Sequence, residues 1–326
     1  MTKIGTIGSG WATRVQTPLF SEAGFEVINV KGHDWRALLD SDVELVTITT
    51  PPSEHLENST AFLERGKHVL CEKPTALNAQ EAEALVAAAE KHPELIALID
   101  HELRFLPAWR AARERMPELG GVRYIEVRYS SPARGDRSRE WNWWSDADRG
   151  GGILGAVGSH FADAMRYLAG EIEEVQAMLV TMVEERSGRR VTSDDLAALH
   201  LRLSNGITAA MTLNAAASGP DEQAVITIHG EIGAMRLIGA ELLMAKRGEP
   251  YSRVAGEEMP QLPGNSMGGA FGSGTIELAR ALKRALENGD RNALAPAATF
   301  RDGLAQQKVL DAARRSSTNE GRWERV

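Results

Sequence analysis

The stretch Lys3-Ile4-Gly5-Thr6-Ile7-Gly8-Ser9-Gly10-Trp11-Ala12-Thr13 decides how this chain is read. A short apolar run breaks at Gly-Ser-Gly and passes into residues 11–23, whose composition is helical once the glycines are past. The segment therefore predicts a strand, a tight turn and a helix. In that context a Gly-x-Gly turn can cradle a dinucleotide. Gly8 would make the turn, and Gly10 would let the main chain approach a pyrophosphate held at a helix N-terminus. Ser9 and Trp11 lie in the same turn, and Thr13 stands where a third Gly or Ala is usual. A plain strand-to-helix turn is the competing reading of these glycines taken alone.

Outward from the turn the same alternation continues. Strand-like runs at Phe25–Val30, Glu44–Thr49, Lys67–Leu70 and Leu95–Ile99 are separated by helical stretches, of which Asn78–Lys91 is alanine-rich. Alternating β and α predicts an α/β domain with a parallel, doubly wound sheet. After about residue 121 the texture changes. Val122–Tyr129, Glu174–Val183, Leu196–Leu203, Ile207–Leu213 and Gln223–His229 alternate apolar with polar, and Asn205-Gly206 marks a hairpin between two of them. Helices are expected from near Ile153, over Thr275–Asn288 and over Phe300–Ser316, with the Gly- and Ser-rich Gly264–Gly274 as a mobile surface loop. Against roughly 150 residues per domain, 326 residues predict a dinucleotide-binding domain over 1–121 and an α+β domain over 122–326 with a largely antiparallel open sheet. One large α/β domain is the alternative.

Composition excludes several function classes. With 37 basic and 45 acidic residues the net charge is −8, and no long block of like charge occurs, which disfavours nucleic acid as a partner. Cys71, the single cysteine, can form neither an internal disulfide nor a zinc cluster, and the eight histidines show no paired ligand spacing, so no metal is expected. No apolar run approaches the roughly 18 residues of a membrane span, and the opening lacks a signal-peptide pattern. The expectation is a cytoplasmic protein acting on a small molecule.

The dinucleotide reading meets two departures. An acidic residue some ~20 positions after the glycines usually takes the ribose hydroxyls, but the second strand ends at Val30 and Lys31 follows. Lys31 could accept a 2′-phosphate, which favours NADP over NAD; a solvated turn lysine is the alternative. Asp34 is expected to cap a helix over Trp35–Leu39. Only residues 31–43 separate the second strand from Glu44–Thr49, so the sheet is expected to be one strand short on that side.

Three further stretches carry a resemblance: Thr49-Thr50-Pro51-Pro52-Ser53-Glu54-His55; Gly66-Lys67-His68-Val69-Leu70-Cys71-Glu72-Lys73-Pro74; and the glycine-rich run from Gly150 through His160 to Asp163. In order and spacing they resemble the signatures of the Gfo/Idh/MocA oxidoreductases, as do Arg104-Phe105-Leu106-Pro107 and the segment from Asp311 to Ser317. The resemblance implies an N-terminal Rossmann domain and a C-terminal α+β domain whose open sheet often mediates oligomerisation, here as a homodimer or homotetramer. It also implies that Lys73 contacts both substrate and nicotinamide ribose. The expected cofactor side then comprises Gly8, Ser9, Gly10, Trp11, Lys31, Thr50, Pro51, His55, Glu72 and Lys73; for His55 a helix-start role serves as well.

Oxidising an alcohol needs a base for the hydroxyl proton while hydride leaves to the cofactor. His160 fits that role, with Lys73 polarising the substrate oxygen. On a regular helix Leu154, Val157, Phe161, Ala164 or Met165, and Leu168 form the core stripe, while Ala156, His160 and Asp163 share a neighbouring face on which Asp163 could orient the imidazole. A cis peptide at Pro74 would aim Lys73. The family usually has Asp where Ala156 stands, so His101, Arg104, Trp143 and Trp144, with Asp100 and Trp141, are candidates for a different substrate pocket. The expected function is an NAD(P)-dependent oxidoreductase acting on CH–OH groups of a sugar-like or cyclic compound. A non-catalytic dinucleotide or sugar sensor on the same scaffold is the rival, and reduction of a dihydrodiol or an imine is a third reading.

Overall fold

A computed structural model describes residues 1–220, 222–254 and 269–326. The chain forms two compact units, Met1–Leu106 with Glu258–Leu304 and Pro107–Glu257 with Ala305–Val326. Among the described residues no helix is long and apolar enough to cross a membrane.

In the first unit five parallel strands, β1 (Lys3–Ile7), β2 (Glu26–Val30), β3 (Leu45–Ile48), β4 (His68–Cys71) and β5 (Ala97–Ile99), lie in the order 2-1-3-4-5. A short strand, Ala298–Thr299, adds antiparallel beside β5. The inner strands are apolar runs buried on both faces, as parallel sheets require. Side chains alternate between two cores. Val46, Ile48, Val69, Cys71 and Ile99 meet Phe62 and Leu63 of α2 (His55–Glu64) and Leu85 of α3 (Ala79–Glu90). Ile4, Leu45, Leu70 and Leu98 meet Phe20, Phe25 and the helix Gly269–Asn288 through Leu278 and Leu282.

Among the described residues the sheet ends at β2, and no third strand follows it. From β2 the chain runs through one short 3-10 helix, Gly32–Leu38, straight to β3 on the other side of β1. Asp34 does not cap that helix: the helix starts earlier than expected, with Lys31 at its cap, and Asp34 lies inside the first turn facing His33 Nε2 at 3.4 Å. Trp35 and Leu38 turn into the core, which fixes where this tight helix begins. The expected loop Gly264–Gly274 is corrected in part. Residues 264–268 lie outside the described residues, whereas 269–274 are helical; the small residues form a close helix face, and a Cβ on Gly274 would meet the Glu102 carbonyl oxygen at 2.5 Å.

The second unit is built on a largely antiparallel nine-stranded sheet. Its long strands are β6 (Val122–Ser130), β7 (Ile172–Val180), β10 (Leu196–Leu203), β11 (Thr208–Asn214), β12 (Glu222–Gly230), β13 (Gly233–Ile238) and β14 (Glu241–Lys246), while β8 (Glu185–Arg186) and β9 (Arg189–Arg190) form a separate small hairpin. β10 and β11 pair antiparallel around Asn205-Gly206, where Gly206 supplies φ +82°. β6 pairs parallel with β11, the one parallel pairing among the described strands of this sheet. One face is core, with Ile125, Val127, Val175, Ala197 and Leu199 buried; the other face carries exposed Tyr124 and Met178.

Candidate functional site

In the first unit the glycine turn leaves β1 and opens into a wide π-type turn, Ala12–Gln16, followed by α1 (Thr17–Glu22). Gly8 has φ +139°, a conformation L side chains rarely adopt, and a Cβ there would collide with Thr49 Oγ1. Thr49 Oγ1 is fixed by donating to Ile7 O at 2.7 Å, so the turn is walled by β3. Around Gly10 nothing lies within 4 Å of an added Cβ. A cramped Gly8 beside an open Gly10 is what a pyrophosphate cradle needs. Asn29, which the sequence did not single out, ties β2 to this turn by donating Nδ2 to Gly8 O at 3.2 Å and to Thr6 O at 3.1 Å. Thr13 fills the third glycine position and donates to Asn29 Oδ1 at 3.1 Å. Lys31 is exposed just past β2.

His55 opens α2 fully buried. Its Nε2 lies 2.9 Å from Thr50 O, and its Nδ1 lies 3.0 Å from Pro74 O and 3.3 Å from Thr75 O. It thus clamps the Thr50-Pro51 segment to the chain following Lys73. Burial pulls its pKa down to about 4, against the hydrogen bonds to those carbonyls.

Beyond β4, Glu72 and Lys73 precede a cis Lys73–Pro74 peptide. The two-residue period of the strands puts Glu72, after Cys71, and Asp100, after Ile99, on the face that receives the first helix. There the buried Gln16 donates Nε2 to Asp100 Oδ2 at 2.8 Å and to Glu72 Oε1 at 3.3 Å. Glu72 Oε2 accepts from the Lys73 amide at 3.3 Å and stands 3.9 Å from its ammonium. Burial pushes the Glu72, Asp100 and Glu102 carboxyls up, and repulsion among them adds to the rise at Asp100 and Glu102, while Lys73 opposes it. The group can hold a proton beside Lys73. Gln16 and Asp100 as partners of Glu72 could be inferred only from the strand register. His101 is buried in the following turn, and Arg104 reaches Asp302 Oδ1 at 3.2 Å and Pro296 O at 3.5 Å, within the same unit.

In the second unit the glycine run meets a carbonyl-lined bed. A Cβ on Gly151 would strike the Trp143 and Trp144 carbonyls, and one on Gly152, with φ +109°, would strike Asp194. Asp194, unnoticed in the sequence, accepts from the Leu154 amide at 2.8 Å, while Ile153 N donates to Asp194 O at 2.9 Å. The helix then opens as a second π-type turn, Leu154–Gly158, before α4 (Ser159–Ala169) carries His160. A regular helix with one core stripe does not describe it: every residue from Leu154 to Met165 is buried, His160 and Asp163 among them. Asp163 Oδ1 lies 4.0 Å from Arg166 Nη1 one turn on. Trp143 and Trp144 are half-buried and pack edge to face, with ring centroids 6.3 Å apart.

Comparison with known proteins agrees with this geometry. Residues 9–99 match the family model of the oxidoreductase family with an NAD-binding Rossmann fold, and residues 109–236 match that of the GFO/IDH/MocA C-terminal domain. Glucose-fructose oxidoreductase domain-containing protein 2 of Bos taurus is 30% identical over 99% of this chain and 93% of its own length. Among solved structures, a levoglucosan dehydrogenase in complex with NADH superposes with a TM-score of 0.85 at 23% identity, covering 100% of this chain and 99% of that one. An inositol dehydrogenase homologue from Azotobacter vinelandii, complexed with NADH and myo-inositol, gives 0.81 at 17% identity over 100% and 97%. The two matched domains, in the order of the two units, place this chain in the Gfo/Idh/MocA oxidoreductase family, with an NAD-binding Rossmann fold.

Proposed function

We propose that this chain moves a hydride between a nicotinamide cofactor and a hydroxyl-bearing or carbonyl carbon of a small sugar-like or cyclic compound. The glycine turn carries the reading, because a strained Gly8 beside an open Gly10 fits a pyrophosphate and little else explains the pair. Gly8, Ser9, Gly10 and Trp11 would hold the dinucleotide, with Thr50 and Pro51 presented by His55. The nicotinamide, when bound, supplies the acceptor or donor of hydride. His160 takes the hydroxyl proton in oxidation and returns it in reduction, with Asp163 orienting the ring. Lys73 places positive charge at the oxygen on which negative charge develops, and Glu72 holds its base. Lys31 receives the 2′-phosphate, so NADPH is preferred to NADH.

Titrating the protein with NADPH and NADH through Trp11 emission, then assaying turnover on sugars, cyclitols and dihydrodiols, tests this. Lys73→Ala and His160→Ala are each expected to lose about a hundredfold or more in kcat while His160→Ala still binds cofactor; unchanged turnover in either would sink the assignment. The missing third strand and Ala156 favour a second reading, a ligand sensor without turnover. Cofactor binding with no hydride transfer to any of these substrates would select it.

A further inference from the structure

Two buried arginines of the second unit take no part in the chemistry above. Arg186 is 1% exposed and Arg134 6%. Part of Arg186 is accounted for: Nη1 donates to Asp136 O at 2.5 Å and Nη2 to Arg134 O, which secures the 131–139 loop. Arg134 donates Nη2 to Ser145 Oγ at 3.0 Å and sets its guanidinium 5.0 Å from the Trp144 ring centroid. Nε of both arginines is buried with no acceptor. Among the described residues neither guanidinium forms an ion pair.

The charges acting on Arg134 are mainly positive. Arg139, whose Nη1 donates to Ala133 O at 2.9 Å, is a third guanidinium acting on Arg134. Against these stand Asp195, whose Oδ2 is taken by the Met182 and Val183 amides at 3.0 Å each, and exposed Asp136, whose Oδ1 is taken by Ser138. Of the charges that act on Arg134, the Arg186 and Arg139 guanidiniums repel it and the Asp195 carboxylate attracts it. Burial, then repulsion from Arg186, draws the Arg134 pKa down to about 10, which leaves it charged at neutral pH. A buried charge short of a counter-ion is costly to keep, and a ligand that brings the missing charge removes the cost.

We propose that Arg134, laid over Trp144 and fixed by Ser145, recognises an anionic group of the substrate, and that this group is a carboxylate, so that the substrate is a sugar acid or a similar small hydroxy acid. A planar guanidinium with an unused Nε offers the donors a carboxylate accepts, and the Trp144 ring gives the carbon skeleton a flat apolar surface. The word substrate rests on the oxidoreductase reading; anion recognition does not require turnover.

The test is calorimetry on the full chain, with and without NADH, using D-glucuronate, D-glucose and D-glucose 6-phosphate, with tryptophan emission as a second readout. Glucuronate is expected to bind saturably and roughly tenfold or more tighter than either of the others. Arg134→Gln should abolish that preference, and Arg134→Lys should keep part of it. Absent glucuronate binding, equal binding of glucose, tighter binding of the phosphate, or a preference that survives in Arg134→Gln would each overturn the proposal. The wild-type ranking alone decides if Arg134→Gln does not fold. A glucuronate preference without hydride transfer on any substrate would support the anion site and count against the oxidoreductase reading; turnover of neutral sugars with no such preference would do the reverse.

Discussion

Both ring nitrogens of His55 face carbonyl oxygens, yet a neutral imidazole has one hydrogen to give. A second proton would satisfy both contacts, and burial opposes it strongly enough to hold the pKa at about 4. An unfolded chain takes up that proton near pH 6.5 while the folded one does not, so stability falls as pH drops from about 6.5 to about 4, by about 3 kcal/mol in all. The buried carboxyls of Glu72, Asp100 and Glu102 have raised pKa values and act in the opposite sense, favouring the folded state at low pH. The readout is therefore a difference. Denaturation curves of the parent and His55→Gln, taken from pH 7 to 4, should converge as pH falls, and parallel curves would refute a neutral His55. At this scale the sequence was only partly legible. Gly8, Glu72, Lys73 and His160 stand in patterns, whereas Asn29, Gln16 and Asp194 act through single side chains whose partners lie far along the chain, and nothing local marks them.

Elements whose shape follows from backbone geometry could be read directly, and the glycine turn is the sharpest case. Gly8→Ala forces a side chain into a left-handed conformation against Thr49, and is expected to cost about 1–3 kcal/mol and to abolish dinucleotide binding. Gly10→Ala meets open space, so its stability should stay within about 0.5 kcal/mol of the parent while cofactor affinity falls. Denaturant melts beside an NADH titration separate the two, and an equal loss of stability in both would contradict the cradle geometry. β13 and β14 were not anticipated. Gly233–Ile238 and Glu241–Lys246 are rich in Ala, Met, Leu and Lys, good helix formers, and pairing with β12 overrides that preference. The signal that could have found them is the two-residue link Gly239-Ala240, with φ +57° at Gly239. Both functional helices also begin with π-type turns, which a regular 3.6-residue period cannot disclose.

For the molecule as a whole, α/β alternation followed by β alternation was enough to foresee a parallel sheet with one strand missing and a separate, largely antiparallel sheet. The short Ala298–Thr299 strand escaped because two residues carry no period. The second sheet keeps one face out of its core, and we propose that this face joins copies of the chain. Light scattering is expected to give a dimer or tetramer of the 35.4 kDa chain, and replacing exposed Tyr124 and Met178 together by Asp should shift it to monomer. A parent that is already monomeric would remove the sheet from consideration as an interface.

The missing strand has a consequence for selectivity. With β2 at the edge, Lys31, the proposed contact for the 2′-phosphate, stands exposed just past it. Any discrimination it provides is an attraction between two solvated charges, and such attractions decay over a Debye length of about 8 Å at physiological ionic strength. The protein's choice between the two nicotinamide cofactors would then depend on the medium as well as the fold: sharp in dilute buffer, blunted in salt, and open to change by a single substitution at position 31.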